Sequence, residues 1–357
     1  MSRFMNERYR DLHEYVPGEQ PKERRYIKLN TNENPYPPSD AVIRAVREFD
    51  AGSLKLYPDP DASVLLKKIA ETYGVNPENV IVSNGSDDVL SMIFAAFGGN
   101  GAAFPDITYG FYTVFASLYD VKYTEIPLRS DYTISPDNYM NVGGLTLIAN
   151  PNAPTGIALT TDEIERIVRS NPDSVVVIDE AYVDFGAQSA VPLTKKYDNL
   201  CVVMTFSKSR SLAGARLGFA VGNEALIRDL YKIKYSTNPY SVNSLTQAIG
   251  AAALDSREYY AENCKKIGKT RDIFADKLRS LGFYVTPSLA NFVFARHGTI
   301  SGEYLYRSLR QKGILVRRFD TPRIEEFLRI TVGTEDDMET LYETLAGIIS
   351  EEKGERT

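Results

Sequence analysis

A succession of short apolar runs, at 80–82, 102–104, 121–123, 145–148, 175–178, 201–204 and 217–221, is separated by helical patterns and turns. Several are near-continuous Val and Ile, with no polar residue at every second position. A strand of that composition must be buried on both faces, which a sheet wetted on one side does not allow. The pattern predicts an α/β fold, a large domain built on a mostly parallel sheet covered by helices. Helix start signals agree with it. Ser39 precedes a helical pattern running to about Phe49, and Asp61 precedes another reaching about Tyr73, with apolar spacing at Val64, Leu65, Ile69 and Ala70.

After about Val242 the pattern changes to long amphipathic helices, including one at 256–281. Strands at 291–294, 314–316 and 327–332 then alternate with helices near 301–312 and 335–350, which predicts a smaller α+β domain. Up to residue 29, charges mix with Pro17, Gly18 and Pro21, giving an extended arm that needs a surface to lie on. The expected division is an arm at 1–29, a segment at 30–48 joining the small domain, a large domain at 49–242 and a small domain at 243–357.

With 357 residues, 43% of them hydrophobic, the chain has material for two cores. Its net charge of −6 argues against nucleic-acid binding, which needs clustered Lys and Arg. Cys201 and Cys264 form no closely spaced pair, so a reducing, cytoplasmic setting is expected, with Cys201 a plain core residue. The first ten residues carry charges throughout, and no stretch approaches the roughly 18 apolar residues of a membrane span. His13 and His297 are the only histidines, and no metal site is expected.

Lys208 follows the apolar run at 200–205 and precedes the small-residue loop 212–215. A lysine at the end of a buried strand is partly desolvated, which lowers its pKa and makes its amine a nucleophile. Asp179 closes the run 175–178, so an acid and a reactive amine stand at successive strand ends. Beside the lysine, Ser207 and Arg216 supply a hydroxyl and a planar guanidinium suited to a phosphate dianion. Gly85, Ser86 and Asp87 lie between the run at 80–83 and an apolar helical pattern at 89–94. Ser86 alone reads as a helix cap, but the free N–H groups of a helix start also suit phosphate.

These residues belong to an ordered set: Asn-Thr-Asn-Glu-Asn-Pro at 30–35, Tyr-Pro-Asp-Pro at 57–60, Ser-Asn-Gly-Ser-Asp at 83–87, Thr-Tyr-Gly at 108–110, Asn-Pro-Asn-Ala-Pro-Thr-Gly at 150–156, Asp-Glu-Ala-Tyr at 179–182, the Lys208 block, and Leu-Arg-Ile-Thr-Val-Gly-Thr at 328–334. Through nearly its whole length the chain resembles the fold-type I pyridoxal phosphate (PLP) enzymes, and within them the class I and II aminotransferases. The resemblance implies that the large domain binds PLP and that Lys208 is the catalytic residue, joined to the cofactor. It implies that Asp179 faces the pyridine nitrogen, Tyr182 the ring oxygen O3′ and Tyr109 the ring face, while Gly85, Ser86, Asp87, Ser207 and Arg216 grip the phosphate. Tyr57 would reach the phosphate from a neighbouring subunit, which implies a homodimer with shared sites. On the substrate side Arg317 and Arg329 would take anionic groups, Tyr15 would close over the site, and Asn291 would face it. Within the family the resemblance narrows to a phosphate-ester amino donor with 2-oxoglutarate as acceptor. An aromatic amino acid aminotransferase or a threonine-phosphate decarboxylase of the same fold stays open, as does, more remotely, a noncatalytic PLP-binding regulatory domain. One position departs from the pattern: Ala153 stands where the family usually carries an asparagine that contacts O3′, leaving Asn152, or Tyr182 with a water, for that contact.

Overall fold

The computed structural model describes residues 2–12 and 14–355; His13 lies outside them. The apolar runs form a seven-stranded sheet in the spatial order Val80–Ser83, Gly218–Gly222, Leu200–Thr205, Val176–Asp179, Leu145–Ala149, Ala102–Pro105, Tyr123–Ile126. Neighbours pair in parallel except at Gly218–Gly222, which is antiparallel to both of its partners. The expected mostly parallel α/β architecture is therefore what the chain adopts. Along Leu200–Thr205, Leu200, Val202 and Met204 join one apolar cluster, while Cys201 and Val203 join the cluster on the opposite face. Val80 and Val82 divide from Ile81 in the same way, as do Val176 and Ile178 from Val177. In these strands both faces are dry, so polar alternation has no place, and each fully buried Val or Ile contributes about 1.5–3 kcal/mol; the edge strand Tyr123–Ile126 is the exposed one.

A second sheet has four antiparallel strands in the order Arg317–Arg318, Leu328–Thr331, Phe292–His297, Phe283–Val285. Phe274 and Leu278 of helix Arg257–Ser280, Leu305 and Leu309 of Gly302–Gln311, and Leu341 and Leu345 of Glu335–Glu355 share a core with this sheet. Phe294 and Phe327 instead join the larger core, stacked at 4.4 Å.

The chain passes between the cores at places the sequence did not mark. Ile27–Lys28 pairs in parallel with Ile314–Leu315, and Asn32 N–H donates to Thr331 Oγ1, yet helix Asp40–Glu48 puts Val42 into the larger core. The segment 30–48 thus meets the small unit through its first residues and Tyr36, and the larger one through its helix. Helix Ser244–Leu254, expected beyond the division at 242, buries Ile249, Ala253 and Leu254 in the larger core. The following 24-residue helix starts there with Tyr260 and ends among Phe274 and Leu278. At about 1.5 Å per residue it is long enough to change partners without breaking, so no loop composition announces the handover.

The helix starts show one agreement and one correction. Ser39 accepts from Val42 N–H as expected. Helix Ser63–Tyr73 is capped by Asp59, not Asp61: Asp59 Oδ2 accepts from Ser63 N–H at 2.8 Å, while Asp61 receives the Tyr235 hydroxyl. Ala62 takes a left-handed conformation (φ 49°) at the N-cap, which carries Asp61 away from the first turn. The arm finds its surface on this same chain. Tyr15 stacks on Phe111 at 4.2 Å, Arg317 donates to the carbonyls of Val16 and Pro17, and Arg310 pairs with Glu19 at 3.0 Å. Among the described residues no helix is long and apolar enough to cross a membrane.

Candidate active site

The carboxyl ends of the parallel strands open into a cavity of about 580 Å³, whose other walls come from the second sheet and the arm. Lys208, just past strand Leu200–Thr205, donates from Nζ to the Thr31 carbonyl at 3.1 Å, and Nζ lies 5.8 Å from the centre of the Tyr182 ring. The lysine backbone is pinned from two sides. Asn34 Nδ2 donates to the carbonyls of Lys208 (3.0 Å) and Ser209 (3.3 Å), and Ser209 Oγ donates to Asp184 at 2.5 Å. Burial, and next the Arg329 charge, push the Lys208 amine down from 10.5 to about 8.

Asp179 ends its strand 4% exposed. Its Oδ2 accepts the Tyr112 hydroxyl at 3.0 Å and its Oδ1 the Ala181 N–H at 3.2 Å. Burial lifts this carboxyl to about 6, against the pull of those two hydrogen bonds. Tyr182, three residues on, lines the cavity, and its hydroxyl accepts from Asn32 Nδ2 at 2.9 Å.

Opposite these groups, the start of helix Ser86–Phe97 meets Ser207 and Arg216. Arg216 Nη1 donates to Ser207 Oγ at 3.5 Å and Nη2 to Asp87 Oδ2 at 3.2 Å, while the Tyr109 hydroxyl donates to Asp87 Oδ1 at 2.7 Å. Two glycines permit this approach. A Cβ on Gly218 would lie 2.3 Å from Ser86 N, and one on Gly85, at φ 92°, would lie 2.7 Å from Arg216 Nη2.

The register of the small sheet sets Arg317 directly opposite Arg329. Like charges across a strand pair repel, and burial and the Arg317 charge both hold the Arg329 pKa below its ordinary value. Neither guanidinium has a carboxylate within ion-pair distance among the described residues. Arg317 donates only to the Val16 and Pro17 carbonyls, and Arg329 Nη2 donates to the Asn30 carbonyl at 2.9 Å, leaving its buried Nε without a partner. Arg318 is different in kind, since it pairs with Asp320. Two cavity cations lacking a counter-charge mark a place for an anionic ligand group.

Two expected site residues, Asn152 and Asn291, lie elsewhere. Asn152 is turned away from the cavity: its Nδ2 donates to the Ile107 carbonyl (2.9 Å) and Thr155 Oγ1 (3.2 Å), and its Oδ1 accepts from Thr108 (2.8 Å). With both amide ends engaged by Thr155 and by the loop that carries Ile107 and Thr108 it cannot also serve O3′, and Ala153 is the residue that lines the wall. Asn291 is fully buried behind the cavity, donating to the Asn32 carbonyl at 3.0 Å. Tyr57 is 81% exposed and stacks on Tyr240, outside this chain's cavity. Gly85 sits behind Ser86 and Asp87, while Ser86, Asp87, Tyr109, Asp179, Tyr182, Ser207, Lys208, Arg216, Tyr15, Arg317 and Arg329 converge on one wall or another. The residues that sequence reasoning missed are Asn32, Asn34 and Tyr112. Tyr112 stands one helical turn after Tyr109, and Asn32 adopts φ 56°, a conformation in which Asn is enriched.

PLP is a flat aldehyde with a basic ring nitrogen and a phosphate, and the residues present fit it. The aldehyde would meet an amine with a depressed pKa, the nitrogen a buried carboxylate, and the phosphate a cradle whose Arg216 guanidinium a side chain at 85 would displace. Fold and site together define a PLP-dependent enzyme of fold type I.

The chain belongs to the family "Aminotransferase class I and II", whose profile matches residues 24–345. It is 49% identical over 352 residues to histidinol-phosphate aminotransferase of Brachyspira hyodysenteriae, covering 98% of this chain and 99% of that one. It is 50% identical over 351 residues to histidinol-phosphate aminotransferase 1 of Bradyrhizobium diazoefficiens, covering 98% and 100%. Among solved structures, histidinol-phosphate aminotransferase of Clostridium acetobutylicum superposes with a TM-score of 0.84 at 23% identity, over 91% of this chain and 99% of that one, a likeness of fold.

Proposed function

We propose that the chain transfers the amino group of L-histidinol phosphate to 2-oxoglutarate, giving imidazole-acetol phosphate and L-glutamate, in the histidine biosynthesis of the cytoplasm. The observation that carries the reading is the Arg317 and Arg329 pair, two cations opposed across a strand ladder with no carboxylate in ion-pair reach among the described residues, facing the cavity that holds Lys208. A substrate phosphate relieves their repulsion and supplies the counter-charge that the pair lacks. The full-length relatives near half identity support the same donor.

When bound, PLP supplies an aldehyde that links to amines and a ring that accepts electron density as the donor Cα–H bond breaks. Lys208 Nζ would take the donor's Cα proton and deliver it to the carbon that bears the cofactor's aldehyde, a double duty that requires a pKa near the working pH. Asp179 keeps a proton on the ring nitrogen. Tyr109 packs on the ring, and the Ser86 and Asp87 amides, Ser207 and Arg216 hold the phosphate. Tyr15 and the arm shut water out on the open side. Tyr57, exposed beside Leu54 and Leu56, suits a second copy of the chain, whose site it would complete as part of a homodimer.

A panel of half-reactions tests the reading. Loss of the bound cofactor's visible absorption should be fastest with histidinol phosphate and slow with phenylalanine, aspartate or threonine phosphate. Faster consumption of phenylalanine, or release of carbon dioxide from threonine phosphate, would assign the site to another member of the family.

Two further outcomes are expected. Replacing Arg329 by Ala lowers kcat/KM for the phosphate donor about a hundredfold, since losing one partner of a buried charge pair costs about 3 kcal/mol, with most of the loss in KM. Reattachment of PLP to the apo-protein speeds up with pH around a midpoint of about 8, because only the neutral amine reacts and burial has brought Lys208 down to that value. A midpoint near 10 in stopped-flow absorbance would show an ordinary lysine.

A further inference from the structure

Tyr182 packs against an apolar group, with Lys208 Nζ over its ring. Phe292 meets its ring edge-on at 5.1 Å, and Ala153 and Ala290 cluster with Phe292 against it. Among the described residues its hydroxyl has one hydrogen-bond partner, Asn32 Nδ2 at 2.9 Å, and in that bond the hydroxyl accepts. A phenol has a single proton to give, so an acceptor bond on this side leaves that proton free for the cavity.

The sense of the bond is set further back. Asn32 N–H donates to Thr331 Oγ1 at 2.9 Å, and the buried threonine passes its own proton to Asn32 Oδ1 at 3.0 Å. With Oδ1 committed to Thr331, the amide can present only Nδ2 to Tyr182. Asn291, donating to the Asn32 carbonyl at 3.0 Å, ties the same residue from a third direction. Asn32 itself is 1% exposed.

Resting on the PLP reading above, we propose that Asn32 is a positioning residue, whose side-chain amide holds the Tyr182 hydroxyl as a hydrogen-bond donor toward the cofactor's ring oxygen. Ala153, beside Tyr182, has no polar side-chain atom to share that contact, so the ring oxygen depends on this one oriented phenol. The neighbouring carbonyl, that of Thr31, accepts from Lys208 Nζ, so one turn of backbone sets both the lysine and the tyrosine.

Asn32→Asp is the discriminating variant. Aspartate keeps the shape, tolerates the left-handed backbone and still accepts from Thr331, but it cannot donate and draws the tyrosine proton toward itself. The readout is the pH midpoint at which the absorption of the cofactor bound to Lys208 changes, followed on the holoenzyme without substrate. A donor on the ring oxygen favours the unprotonated form of the chromophore. Its loss should raise the midpoint by about one pH unit, the size expected for one hydrogen bond of about 1.4 kcal/mol. Tyr182→Phe should give a similar rise, and the double variant should add nothing to it. Asn32→Ala, which removes the amide without recruiting the phenol, should give a smaller shift of the same sign. An Asn32→Asp midpoint equal to that of the parent, or a double variant whose shift is the sum of the two, would overturn the proposal. A parent protein with no titrating band would sink the PLP reading along with it, and so separates the two failures.

Discussion

Replacing Lys208 with alanine reduces transamination at least about ten-thousandfold, because proton transfer at the donor Cα and attachment of the cofactor depend on one amine. No neighbour can substitute. Lys28 is tied to Glu33 and Thr31, and the Tyr182 phenol is held by Asn32 with its pKa raised above the ordinary value by burial. The variant should still fold and retain PLP without a covalent link, since among the described residues the Lys208 side chain makes one hydrogen bond, to the Thr31 carbonyl, and the cradle at Gly85 to Asp87, Ser207 and Arg216 stays intact. Single-turnover absorbance checks the loss, and a thermal melt within a few degrees of the parent shows that chemistry and not folding has failed. Turnover within tenfold of the parent would move the catalytic base to another residue.

Asp179→Asn should be nearly as damaging. The amide keeps the volume and still accepts the Tyr112 hydroxyl, but it carries no charge to hold a proton on the ring nitrogen. Removing one preorganised electrostatic partner in a dry site costs about two to three powers of ten in rate. The loss should fall on kcat with KM little changed, because Asp179 is not among the groups proposed to bind the donor. Tyr112→Phe is the control: it deletes a neutral hydrogen bond and leaves the charge, so its effect should stay below about tenfold. Equal effects from both variants would mean that the hydrogen bond, and not the charge, is what matters.

The parts of this architecture that declared themselves in sequence are those with one physical cause. Val and Ile runs require a sheet buried on both faces, and strands such as Leu200–Thr205 send alternate side chains into the two apolar clusters. Lys208 and Asp179 were legible because each follows such a run, and the end of a parallel strand is where a site forms. What stayed hidden depends on several segments at once. Asn152 looked available beside Ala153 because nothing in the motif shows that Thr108, Ile107 and Thr155 already consume its amide. Asn291 sits next to a strand but works through Asn32, a contact between residues far apart in the chain. The handover between cores escaped notice because it happens inside the continuous helix Arg257–Ser280. Asp59 caps the helix expected to be capped by Asp61 because of a left-handed turn at Ala62, where an alanine gives no warning of it.

The role assigned to every group in the cavity presumes that one amine carries the cofactor. Reduction of the holoenzyme with borohydride, followed by peptide mapping, reads this directly. The result predicted is a single pyridoxyl-phosphate adduct on Lys208 at close to one per chain. An adduct on Lys28 or any other side chain, or no adduct on a protein that retains its colour, would contradict it.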